Sequence, residues 1–279
     1  MSSPCLLTLS FTLLYFLLPQ GDISYADNRA GINNGSIYEG VLNDFYNEVQ
    51  PSSAYGAYMT SSGNHEAIIG FLAYQKRNSP SLPLNGSPFW HSYNYGPIHF
   101  LAFDQDQNWQ INSPQYNFIV ADLKAVDRTV TPWVIAYNHF PLLCSNNFWC
   151  PDAVKFQDLY EPIFNAKETK VDLTYGGHVH AAEILFPQQK MVVVQDDFVN
   201  VPVTMQVMCG FPGDIEVCCN DWYKPKPAWS YWREDDVFSD GGMFGFSEFM
   251  IQNNTHARLR MFDSNNETIV TELWWSRAV

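Results

Sequence analysis

Positive charge is scarce in this chain of 279 residues: 15 lysines and arginines stand against 29 aspartates and glutamates, a formal net charge of −14. That deficit argues against a nucleic-acid partner, because a phosphate backbone is held by a basic surface. It also denies a small anion any long-range steering, so a phosphate site would need positive charge supplied locally, as by bound metal. No C-x-x-C pair occurs among the six cysteines, which argues against a structural zinc site. The uncharged run Leu6–Leu18 is too short for a stable membrane span. It has the length of a signal-peptide core without the basic residues that precede one; the alternative is a buried strand leading into Gly21-Asp22. Residues 1–20 contain no Asp, Glu or His. No repeat, low-complexity tract or linker divides the remainder, so 21–279 reads as one domain behind an apolar segment, 1–20.

What is present describes a well-filled globular protein, with 46% hydrophobic and 16% aromatic residues to build a core. Short apolar runs alternate with helical stretches, the pattern of a layered α/β protein. Ile98–Phe103, Trp133–Tyr137 and Val171–Tyr175 read as buried strands. Ser113 and Pro114 read as an N-cap and first helical residue, with Tyr116, Ile119, Val120, Leu123 and Val126 on one face. A second helix is expected from about Phe156 to Asn165. In the last third, Met191–Val194, Val201–Met208, Phe246–Gln252, Ala257–Phe262 and Ile269–Trp274 are expected as strands of a second sheet packed on the first. Cys144 and Cys150 bracket a short loop that a disulfide would close; Cys209 has Cys218 or Cys219 as partners. Asn34, Asn85, Asn253 and Asn266 each begin an N-x-S/T sequon, though a proline after the Asn85 sequon weakens it. Sequons beside cystine loops point to a secreted glycoprotein or one of the endolysosomal or vacuolar lumen; the alternative is a cytosolic protein with incidental sequons.

Four peptides carry the chemistry: Gly21-Asp22-Ile23-Ser24-Tyr25-Ala26-Asp27, Gly63-Asn64-His65-Glu66, Tyr137-Asn138-His139-Phe140-Pro141 and Gly176-Gly177-His178-Val179-His180. They offer a carboxylate, a phenol, an amide oxygen and three imidazoles as ligands. Hard oxygen mixed with imidazole suits two unlike cations, one trivalent iron and one divalent. Two adjacent metals suit hydrolysis of a phosphate ester. Asp22 is placed to bridge both ions, Tyr25 to hold the trivalent one, and Asn64 and His139 the divalent one. His178 and His180, alternating in a loop, would face different ions. His65 suits substrate binding or protonation of the leaving oxygen, and Glu66 orients its loop. Taken singly, each peptide is as readily an ordinary turn or a core histidine; in this order they make a specific set. His91, His99 and His256 read as structural, and Trp229, Trp232, Trp274 and Trp275 as packing.

These motifs resemble those of the purple acid phosphatases, a branch of the metallophosphoesterases. The likeness runs from Gly21 to about Trp275. It also includes Val126-Asp127-Arg128, Thr131-Pro132-Trp133-Val134-Ile135 and Asn254-Thr255-His256, with a loop at Leu143–Asn147 closer to the animal-type long form. The resemblance implies a layered αββα sandwich of two mixed sheets flanked by helices. It implies Fe(III) held by Tyr25 and His180, a divalent Zn, Mn or Fe held by Asn64, His139 and His178, and Asp22 between them. It implies acid phosphatase activity on small phosphate monoesters, a metal-bound hydroxide attacking phosphorus. Three departures stand against this. The family's opening Asp-x-Gly is absent; Phe140-Pro141-Leu142-Leu143 replaces an Arg-Pro-Met-Tyr; and Ala182-Glu183-Ile184 replaces a Tyr-Glu-Arg. They motivate two alternatives: a catalytically impaired homologue acting as a binding glycoprotein, and, less favoured by Tyr25, a phosphodiesterase.

Overall fold

The computed structural model describes residues 5–10, 13–27, 35–78, 87–147, 150, 153–211, 221–236 and 244–278. The chain opens with strands β1 (Cys5–Ser10) and β2 (Leu13–Leu18), then α1 (Gly35–Ser53), β3 (Ala57–Tyr58) and α2 (Leu72–Asn78). The centre alternates strand and helix: β4 (His91–Tyr95), β5 (Ile98–Ala102), α3 (Pro114–Ala125), β6 (Trp133–Tyr137), α4 (Ala153–Asn165) and β7 (Leu173–Gly176). Strands then dominate: β8 (Ala182–Leu185), β9 (Gln188–Gln189), β10 (Val192–Val193), β11 (Met205–Cys209), β12 (Ser230–Arg233), β13 (Gly245–Ile251), β14 (His256–Asp263) and β15 (Thr268–Ser276).

Among the described residues these strands make two large mixed sheets, ordered β12-β8-β11-β7-β6-β5-β4 and β15-β14-β13-β1-β2-β3. In the first, β5, β6, β7 and β11 run parallel, which requires crossovers; α3 and α4 supply two of them. All five residues of β5 and of β6 are buried, as expected of parallel strands covered on both faces. The pleat divides them. Phe100, Ile135 and Tyr137 meet Phe249, Leu259, Met261 and Trp275 of the second sheet. Leu101, Val134 and Ala136 turn the other way, onto Ile119 and Leu123 of α3 and Phe156, Tyr160 and Phe164 of α4. Strands β13 and β14 alternate buried with half-buried residues, so their sheet has one core face. The result is a layered α/β architecture of two mixed sheets with helices packed on the first, as expected from the sequence.

Ser113 caps α3 by accepting a hydrogen bond from Tyr116 N, with Pro114 in its first turn, as the sequence implies. Two expectations need correction. The expected strand Val201–Met208 is confined to β11, which joins the first sheet, pairing parallel with β7 and antiparallel with β8. Of Met191–Val194, only Val192–Val193 is extended, in a separate two-stranded ribbon with β9. Backbone pairing explains both: β11 finds its partners in β7 and β8 and Val192–Val193 in β9, so pairing partners rather than periodicity chose their place.

Candidate metal centre

All four motif peptides lie at one end of the structure, beyond the carboxyl ends of parallel strands, where open α/β sheets place their sites. Asp22 follows β2, Asn64 follows β3, His139 follows β6 and His178 follows β7. The loops are tied to one another: Gly177 N donates to His139 O (2.6 Å), and Gln20 forms a parallel bridge with Ser61. Asn138, whose sequence reading is a turn residue, donates from Nδ2 to Phe140 O (2.6 Å).

Backbone geometry at Asp22 is unusual. Gly21 (φ 79°), Asp22 (φ 49°) and Tyr25 (φ 48°) all lie in the left-handed region. A Cβ at Gly21 would come within 2.7 Å of Gly63 and of His139 Nδ1, so no other residue fits. Glu66 holds this loop. Its fully buried carboxylate accepts from Asp22 N (2.7 Å), Ile23 N (2.9 Å) and Gly63 N (2.8 Å).

On that frame the donor atoms converge. His139 Nε2 lies 2.9 Å from Asn64 Oδ1, 3.1 Å from Asp22 Oδ2 and 3.1 Å from His178 Nδ1. Asn64 Oδ1 is also 2.9 Å from His178 Nδ1. The ring nitrogens of His139 and His178 and a carboxylate oxygen of Asp22 all lie within 4.8 Å of one another. Beside them, Tyr25 Oη is 2.6 Å from His180 Nε2 and 3.2 Å from Asp22 Oδ2. Thus the six expected ligands form two adjoining groups that share Asp22.

The donor set fits a cation. His139 Nδ1 is 2.6 Å from Gln20 O, so the proton of a neutral imidazole sits there and the Nε2 lone pair faces inward. That lone pair meets the Asn64 and Asp22 oxygens, which also offer electron pairs. Such crowding is repulsive unless positive charge stands among the atoms. The protonation preferences express the same demand. Burial disfavours charge on His139, yet the Asp22 carboxylate outweighs it and draws the imidazole up to about 9. Asp22 is held well below the usual carboxylate range; burial opposes this, and His139 and then His65 outweigh it. His178 is pushed down to about 3, first by burial and then by the charge of His139.

His65 stands apart from the ligands, as its position beside Asn64 implies. Its Nε2 is 4.0 Å from Asp22 Oδ2, its ring centroid is 4.3 Å from that of Tyr25, and its Nδ1 is 2.7 Å from Asp27 Oδ2. Asp27 is buried and was not assigned a role from the sequence, although it ends the first motif peptide. Only the turn after Asp22 brings it back under His65. Around the site, Cys144 and Cys150 are joined as expected, with Cα atoms 5.7 Å apart. They pack with Val179 and Ala181, so the bridged loop abuts the paired-histidine loop. Cys209 Sγ donates to Ser247 Oγ (3.4 Å); Cys218 and Cys219, its expected partners, lie outside the described residues. His99 is held between Asn94 and Asp122, His91 is buried, and His256 is exposed at the start of β14, where its N donates to Asn253 Oδ1. Trp229, Trp232 and Trp275 are buried as read; Trp274 is 48% exposed under the Arg258 guanidinium.

The sequence model of the calcineurin-like phosphoesterases matches residues 13–182, and that of the iron/zinc purple acid phosphatase-like protein C-terminal region matches 203–272. Over 267 residues the chain is 29% identical to a probable purple acid phosphatase 20 of Arabidopsis thaliana, covering 91% of this chain and 56% of that one. It is 29% identical over 255 residues to acid phosphatase type 7 of Danio rerio, covering 81% and 54%. The fold is shared with a purple acid phosphatase from yellow lupin (Lupinus luteus) seeds: TM-score 0.75 at 23% identity, over 94% of this chain and 46% of that one. The chain spans about half the length of the curated relatives it matches. It belongs to the calcineurin-like phosphoesterase family, in the purple acid phosphatase branch.

Proposed function

We propose that the protein hydrolyses small phosphate monoesters at a centre of two cations, Fe(III) and a divalent Zn, Mn or Fe. One observation carries this reading: five side chains aim lone pairs at two adjoining points, and Asp22 belongs to both. Asn64, His139 and His178 would hold the divalent ion, and Tyr25 and His180 the trivalent one, whose charge suits a phenolate. Bound there, the pair supplies positive charge for the phosphate oxygens and lowers the pKa of a water.

The chain's own residues supply the rest. His65 reaches toward the centre without joining it. Asp27, accepting from Nδ1, stabilises the imidazolium and leaves the Nε2 proton for the departing alkoxide. Glu66 fixes Asp22 and Gly63 so that the Asp22 and Asn64 oxygens stay in register. The buried Glu183, which accepts from Ser145 N (2.8 Å) and from the Ser145 and Ser230 hydroxyls (2.6 and 2.5 Å), joins the loop after His139 to the strand after His180.

A second reading follows from the imbalance of donors. Among the described residues the Tyr25–His180 group offers two ligands besides Asp22, and the other group offers three. A protein that keeps only the divalent ion would be an impaired homologue that acts by binding. Metal analysis with visible absorption separates the two. Two metals per chain, a tyrosinate–iron(III) band and hydrolysis of 4-nitrophenyl phosphate abolished by His139→Ala support the phosphatase. One colourless metal without turnover supports the homologue, and a folded chain that binds no metal defeats both. The Cys144–Cys150 bridge and the exposed sequon residues Asn253 and Asn266 support a secreted or lumenal glycoprotein, which peptide-N-glycosidase treatment would test; Asn34 and Asn85 lie outside the described residues.

A further inference from the structure

The residue after the third motif histidine has no part in the chemistry above, yet it stands at the centre. Phe140 is half-buried, its ring centroid 4.2 Å from that of His178 at a tilt of 42°, and 5.0 Å from that of His139, edge to face. In the adjoining donor group, Tyr25 stands beside His65, both half-buried, with ring centroids 4.3 Å apart. Aromatic rings therefore adjoin both groups of donor atoms.

We infer that Phe140 is a specificity-determining residue, and that the site takes monoesters of aromatic alcohols in preference to aliphatic ones. This rests on the phosphatase reading for the place of the phosphate. A phosphate seated among the Asp22, Asn64, His139 and His178 donors leaves its ester group beside the rings. Phe140 then offers that group a face or edge, an interaction worth about threefold to tenfold in affinity for an aromatic partner.

The test uses protein loaded with iron(III) and zinc(II), and reads binding before turnover. Titration calorimetry compares phenylphosphonate and methylphosphonate, whose phosphorus–carbon bond leaves no ester oxygen for attack at phosphorus to displace. The expected result is phenylphosphonate bound about threefold to tenfold more tightly than methylphosphonate. Phe140→Leu, which keeps apolar bulk and removes the ring, should abolish that ratio while retaining metal. Equal binding of phenyl- and methylphosphonate, or an unchanged ratio in Phe140→Leu, overturns the inference. Should Phe140→Leu lose metal, the wild type still decides by turnover of benzyl against cyclohexylmethyl phosphate, two esters of similar size and leaving group. Preference for the benzyl ester is expected, and parity refutes the stacking role. Phenylphosphonate preference without turnover of either ester would sink the phosphatase reading and leave the aromatic wall standing.

Discussion

Replacing Glu66 by glutamine removes one negative oxygen and almost no volume, so it isolates what the carboxylate does. Oε2 accepts from Asp22 N and Gly63 N, and Oε1 from Ile23 N, at 2.7–2.9 Å. All three donors are inaccessible to water while Glu66 stays buried. A glutamine amide has one acceptor oxygen. In its better orientation it serves Asp22 and Gly63 and turns its NH2 against Ile23 N–H. One bond to a charged acceptor is then lost and a buried N–H faces another donor, at about 2–3 kcal/mol. For a chain of this length that lowers the melting temperature by about 6 °C. Glu66→Ala, orphaning all three N–H groups, should cost about 5 kcal/mol. Burial, and then the charge of Asp22, pushes the Glu66 carboxyl up to about 7, so denaturant unfolding of metal-free protein is compared at about pH 8, where it is ionised. The backbone at Gly21 and Asp22 is left-handed and relaxes once released, so metal affinity should fall in step. A Glu66→Gln protein within about 0.5 kcal/mol of wild type, with undiminished metal affinity, would refute this account of the loop.

Three further outcomes follow from the same geometry. Gly63→Ala would place a Cβ 2.3 Å from Asp22 Oδ1 and 2.5 Å from Asp22 N, so metal content should fall sharply while far-ultraviolet circular dichroism is retained. Asp27→Asn should lower turnover of 4-nitrophenyl phosphate by about tenfold to a hundredfold and shift the His65 limb of the pH profile to lower pH, since the imidazolium loses its counter-charge. Asp104 is fully buried, and burial pushes its carboxyl from 3.8 up to about 6, so the folded state holds the proton more tightly than the unfolded one. Its contribution, about 3 kcal/mol, is present below the unfolded value and is lost as pH rises through about 6; denaturant unfolding across that window should show the decline, and Asp104→Asn should flatten it.

Local pattern made much of the molecule readable. Ser113-Pro114 announces α3, the apolar run Trp133–Tyr137 is β6 to the residue, and Gly245–Ile251 and His256–Asp263 carry the alternation of half-buried strands. Helix α1 was not read, although Tyr38, Leu42 and Phe45 fall on one buried face; a proline at its last turn and scattered polar residues blur its period. The assignment of β11 to the first sheet was illegible, because a short buried strand pairs with whatever edge the tertiary structure presents.

The sequence by itself determined the donor types, their order along the chain and their attachment to strand ends. These follow from side-chain chemistry and from the periodicity of a few consecutive residues. Only the tertiary structure decided which donors meet: that Asn64 faces both His139 and His178, that Tyr25 joins His180, that Asp27 lies under His65 and that Phe140 leans on two imidazoles. These pairs are separated by up to 155 positions in the chain. Contacts at that range are set by sheet order and loop packing, and no local period encodes them.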